Sequence, residues 1–326
     1  MDLVSIFIAF AGGIFGAAIG ALQAFVILGF LILVGVAAQA TGADLMSIPL
    51  GTAFGPHVGG FAAGVAAAAY ASRKGKIESG RDIVSALMGT NSPDVLLIGG
   101  IFSVGAYILN WAFNLVPFAW TDTVALSVVV SAIVARLLWG NGVFGQVKAG
   151  QARYAPGPDT QWLPWQSTVA QRLMIGLGAG VLSAHIALLI GAENGGVVMG
   201  FAISAISLSL LGLGVQVPVT HHITLVAAVA ATASGSLIWG AVFGMGAGIV
   251  GEYMANTFLV HGDTHIDPPA CTIVVLTSLS ILLQAVGVYG AFSETIAIVI
   301  LVVLVLYGAF AMMRQSSVGV VEQASA

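Results

Sequence analysis

The chain has 326 residues, 59% of them hydrophobic and only 7% charged, with a formal net charge of -4 and a mean hydropathy of +1.05. A soluble domain of this size could not hydrate its surface with so few charges, so the composition specifies a polytopic integral membrane protein whose chemistry lies in the bilayer or in short loops. The small, scattered charge excludes a nucleic-acid partner, and Cys271, the single cysteine, excludes an intrachain disulfide framework or a multi-cysteine metal centre.

The opening Met1-Asp2-Leu3-Val4 lacks the basic stretch of a signal peptide, so the first apolar segment is expected to be a retained span. The apolar run 3–38 would be about 54 Å long as one helix, too long for a single crossing, and reads as two spans or as a short segment plus one span. A Gly-rich helix carrying Thr52, Pro56 and His57 follows, then a basic loop with Arg73, Lys74, Lys76 and Arg81.

The next apolar segment, 83–113, is interrupted by Asn91-Ser92-Pro93-Asp94, and a further span is expected at 122–139. The stretch 140–168 holds Pro156, Pro158, Pro164, Trp162 and Trp165 and reads as the one linker, its tryptophans suited to an interfacial belt. Spans are then expected at 170–191, 195–217, 225–250, 268–290 and 294–313, for nine or ten in all.

Eight of the nine Lys and Arg residues, all except Arg314, lie at 73–81 and 136–172. The positive-inside rule places the loops 73–81 and 140–168 in the cytoplasm, and the two crossings between them satisfy the parity this requires. The same count puts the C-terminus outside, against which Arg314 argues mildly.

Offset by 180 residues, Thr52, Gly55, Gly60 and Gly64 recur as Thr232, Gly235, Gly240 and Gly244, and a shortening of about six residues aligns Asn91–Asp94 with Asp263–Pro269. These matches predict an all-α membrane protein of two inverted repeats, 1–140 and 169–326, joined by a cytoplasmic linker at 141–168, with a Pro/Asp-broken helix in each. The inversion follows because the acidic stretch Glu252–Asp267 reads as an outer loop while its counterpart is basic. Secondary transporters of this kind hold their sites at the repeat interface near the midplane.

The glycine ladders Gly12-Gly16-Gly20, Gly60-Gly64 and Gly240-Gly244-Gly248 are packing devices that let backbones approach. Asp94 lies 11 residues after Ile83; a helix entering there carries it about 17 Å deep, where a carboxylate must be paired, hydrated or ion-bound. Asn91, Ser92 and Asp94 are also favoured helix caps. His57 could titrate against Asp94, Thr52, Thr232 and Ser234 could coordinate a cation or bond back to their own helices, and His265 and Asp267 could couple to a proton or solute, bind a metal, or sit in a hydrated loop. His221 and His222 read as interfacial, and Arg136 as snorkelling beside Trp139.

The expected function is secondary active transport of a small polar solute or cation, with no enzymatic role. The expected site is Asp94, Asn91, Ser92, Thr52, His57, Thr232, Ser234, His265 and Asp267. No cofactor or resident metal is expected, and H+ or Na+ is the coupling ion. The partners are the lipid bilayer and the solute, with self-association left open, and the location is the plasma or inner membrane. The alternatives are a passive channel for a small neutral solute of the urea or ammonia kind and a non-transporting membrane subunit of a larger complex.

Overall fold

The computed structural model describes residues 2–39 and 41–324, with side chains described through residue 315. Among the described residues the regular secondary structure is helical, with no strand: α1 Leu3–Ile19, α2 Ala21–Gln39, α3 Ser47–Leu50, α4 Ala62–Arg73, α5 Pro93–Phe113, α6 Thr123–Trp139, α7 Val169–Ile190, α8 Gly196–Ser207, α9 His221–Ser234, α10 Leu237–Met254, α11 Pro268–Ala285 and α12 Ser293–Ala324. Among the described residues, seven helices are long and apolar enough to cross a bilayer, and Leu3–Ile19, Thr123–Trp139 and His221–Ser234 are shorter apolar helices. The chain is thus a multi-pass membrane protein.

The apolar run 3–38 breaks at Gly20, whose φ of +96° only glycine adopts without strain. Its missing Cβ also clears the Ser85 carbonyl, which would lie 2.8 Å away. The run is therefore two helices. The glycine ladders are close-approach surfaces: a Cβ on Gly16 would overlap the Gly59 carbonyl, and one on Gly244 would come within 2.5 Å of the Gly176 carbonyl.

The helices form two groups with like neighbours. α1 packs on α5 and α4, and α6 packs on α4 and α5; α7 packs on α10 and α9, and α11 packs on α9 and α10. The groups meet where α2 crosses α8 and α6 lies along α11. At the first contact Gly29 backs onto Ala202 and Ala205, and Phe25 stands edge-on to Phe201 at 5.4 Å. The second pair is antiparallel: the start of α6 bonds the middle of α11, with the Asp122 amide donating to Thr277 Oγ1 at 3.1 Å. Near the end of α6, Arg136 Nε donates to Thr264 Oγ1, just before α11, at 2.8 Å.

Four expectations are corrected. First, 83–92 is not helical apart from a short 3-10 turn at Leu87–Thr90, because Asn91 is left-handed (φ 49°) and α5 starts only at Pro93; Asp94 therefore sits in a first turn and not 11 residues into a helix. Second, the 180-residue offset joins unlike structure, since Thr52 lies in turns but Thr232 in α9. Third, the connector after α10 is not at the end opposite the basic loops: Arg81 donates to the Val260 carbonyl at 3.3 Å and Arg153 to the Thr257 carbonyl at 3.2 Å. Fourth, Arg136 does not snorkel; it is fully buried, its guanidinium bound to backbone carbonyls of Val143, Phe258 and Thr264.

Replacing Gly16 by Ala is expected to cost about 1–3 kcal/mol through overpacking. Gly178→Ala, where an added Cβ meets nothing within 4 Å, is expected to be neutral or slightly stabilising. Thermal melts of the detergent-purified variants compare the two.

Candidate functional site

Between the two groups lies a cavity of about 180 Å³. Its walls are mostly apolar, including Phe25, Phe61, Trp162 and Phe201, and its titratable lining groups are Asp122, His221, His265 and Asp267. An apolar cavity with a few converging polar groups is the usual form of a small-molecule site.

Two helices present the same face to it. Asp122 N-caps α6, accepting from the Ala125 amide at 2.8 Å. Asp267 N-caps α11, accepting from the Ala270 amide at 2.8 Å. Asp122, Val124, Ala125 and Val128 line the cavity, and so do Asp267, Pro269, Ala270 and Ile273, each 145 residues further on. Because Asp122 is held at Thr277, ten residues past Asp267, the two carboxylates are about 15 Å apart along α11. They mark opposite ends of one cavity.

Two more helices start there. Phe61 and Thr220 precede α4 and α9 and give no side-chain cap. Before α4 the chain runs through turns over 51–61 whose backbone bonds close locally, as Gly60 N to Gly55 O (3.0 Å) and Ala62 N to Pro56 O (3.0 Å) show. Backbone that is not helical is tolerated at membrane depth only when satisfied in this way or by lining a cavity.

His265 Nε2 lies 3.2 Å from Asp267 Oδ1, and since a carboxylate only accepts, the imidazole donates. The His265 ring also stands edge-on to Phe61 at 5.8 Å. His221 is packed between Phe25 (4.9 Å) and Phe201 (5.8 Å) and next to His222 (5.8 Å). The Nδ1 atoms of His57, His221 and His222 are buried without a hydrogen-bond partner.

The sequence-predicted residues divide. His265 and Asp267 line the cavity, and His57, buried to 1% exposure, follows the lining residue Pro56. Asp94 is outside it: its side chain is 45% exposed, 3.4 Å from Lys74 Nζ, and accepts from the Tyr70 hydroxyl at 2.9 Å. Asn91 turns the chain in a left-handed conformation, and Ser92 Oγ donates to the Thr90 carbonyl at 3.1 Å. Thr232 and Ser234 bond back to Ala228 and Ala230 within α9. Thr52, in the 51–61 turns, does not line the cavity either.

Asp122, His221 and Trp162 also line the cavity, which the sequence reading does not anticipate. His221 and His222 are buried inside the protein at 7% and 1% exposure, and Trp162 packs on His222 at 6.1 Å. The available signal was the repeat of Asp122-x-x-Ala125 as Asp267-x-x-Ala270, visible only once both aspartates are recognised as caps.

Asp267 is placed by Arg136. Gly262 lies against the guanidinium with no room for a Cβ, so the cation presses flat on the connector and ties Thr264 to α6. Arg136→Gln removes donors from buried carbonyls and is expected to cost at least about 2 kcal/mol, read as a lower melting temperature.

A family model described as a family of unknown function (DUF7973) matches residues 1–158 and again 158–299. The chain belongs to that family. No curated protein and no solved structure matches it.

Proposed function

We propose that this member of the family is a secondary active transporter of a small polar or cationic solute, built from two inverted repeats, with its site in the cavity between them. The observation that carries the reading is the pair of aspartate-capped helix starts, Asp122-α6 and Asp267-α11, facing one cavity from opposite ends. Helices that begin inside the bilayer at a repeat interface are how many such carriers bind solute.

The repeat itself is supported by three things. The same family model matches both halves, meeting at residue 158 between α6 and α7. The neighbour relations of α1, α4, α5 and α6 recur in α7, α9, α10 and α11. The equivalent helices α6 and α11 lie antiparallel, which is the relation a two-fold axis in the membrane plane imposes. The repeat register is then 145 residues at Asp122 and Asp267.

In this reading Phe25, Phe61, Phe201 and Trp162 cover the apolar body of the solute, while Asp122 and Asp267 meet its polar or cationic group. One carboxylate lies toward each end, so exchange of the two half-structures alternates which one faces water. The basic loops 73–81 and 140–168 are cytoplasmic, together with the 255–266 connector that their arginines hold. The membrane is the plasma or inner membrane, and the coupling ion is H+ or Na+.

Thermal melts of the purified protein against small amines, amino acids and neutral polar solutes test this, because a ligand that binds only the folded state raises the melting temperature. At least one solute class is expected to raise it in wild type and in Glu78→Gln, a surface variant, and to fail in Asp122→Asn and Asp267→Asn. Reconstituted vesicles are then expected to concentrate that solute. Equilibration without accumulation would indicate a passive channel, and no stabilising solute would refute the site.

A further inference from the structure

We infer that the His265–Asp267 pair is a proton-binding site, so that the coupling ion of the transporter proposed above is H+ and not Na+. The pair is buried, at 6% and 9% exposure, and both residues line the cavity. Its geometry is committed: Nε2–H of His265 donates to Asp267 Oδ1 at 3.2 Å, and the Ala270 amide donates to Oδ2 at 2.8 Å. With Nε2 carrying its hydrogen, the proton accepted from the cavity goes to Nδ1, giving an imidazolium held beside a carboxylate. No bond other than N–H forms or breaks, and the pair changes from a net charge of -1 to zero.

Sodium fits this site poorly. Alkali and other hard cations are held by several oxygen ligands, whereas this end of the cavity offers one carboxylate, each oxygen of which already accepts a hydrogen bond, and the nitrogens of His265 and His221. Imidazole nitrogen binds protons and transition metals. Among the described residues no three His, Cys, Asp or Glu side chains are gathered as metal ligands. An imidazole–carboxylate pair suits a proton better than an alkali cation.

Titratable and charged groups stand on the elements around the pair. From α9, His221 and His222 face it, each with a buried Nδ1 lacking a partner. From α6 come Asp122, at the far end of the cavity, and Arg136, bonded to Thr264 beside His265. The 51–61 turns supply His57, the basic loop supplies Arg81 through the Val260 carbonyl, and α11 supplies the buried Cys271. The fixed cations are thus attached to the connector that carries the pair, so a charge change at His265 is felt by the segment that Arg81 and Arg136 anchor.

The test is charge displacement recorded from proteoliposomes adsorbed to a solid-supported membrane, with protons and NaCl as the only probes. A jump from pH 7.5 to 6.0 without solute is expected to give a transient current in wild type and Glu78→Gln, absent from protein-free vesicles and at least tenfold smaller in His265→Gln and Asp267→Asn. A jump in NaCl at constant pH is expected to give none. Absence of a proton transient in wild type, or a sodium transient of comparable size, overturns the inference, and so does a proton transient of full size in both folded variants. The wild-type comparison decides even where a variant fails to fold. Failure is also separable from that of the transport reading: a proton transient with no stabilising solute leaves the proton site and removes the carrier, whereas a stabilising solute with a sodium transient does the reverse.

Discussion

The buried Arg136 guanidinium is the interaction on which the centre of this protein depends. A charge inside a bilayer is costly unless its donors are used, and here they are spent on the backbone carbonyls of Val143, Phe258 and Thr264 and on the Thr264 hydroxyl. The connector between α10 and α11 begins in a π-helical turn at Ala255–Leu259, where the regular ladder ends. Its loose carbonyls and the buried cation satisfy each other. That arrangement holds His265 and Asp267 at the cavity, where α11 starts.

The opposite half solves the same backbone problem without a charge. There the chain before α4 folds into turns that bond to themselves, tight enough that Gly59 and Gly60 leave no room for side chains and α1 meets the turn through Gly12 and Gly16. A packing device and an ionic device therefore stand on two sides of one cavity. Among the described residues, only the ionic side carries an imidazole–carboxylate pair.

The distinction between Asp94 and Asp122 shows where sequence reasoning loses its hold. Asp94 stands in an apolar context beside a proline, which is the pattern of an intramembrane break, yet a left-handed Asn91 delays the helix and leaves Asp94 at the surface with Lys74 and Tyr70. Asp122 follows Trp120-Thr121 in what reads as an ordinary loop, and becomes a cavity residue only because α6 lies along α11. The hydroxyls of Thr232 and Ser234 likewise bond within their own helix, an outcome that spacing leaves open.

The sequence by itself determined the solvent and the material of the fold. Composition demands a bilayer, apolar runs of this length demand helices, and the clustering of arginine and lysine marks one end of the bundle; these are properties of residues one at a time or of short windows. The glycine ladders also announced close helix contacts before any partner was known. Only the tertiary structure decided which helix starts face each other, that the connector before Asp267 joins the basic end, and that His221, His265, Asp122 and Asp267 share one cavity. Those facts depend on pairings between segments far apart in the chain, where burial and hydrogen bonding are settled by the neighbour and not by the residue.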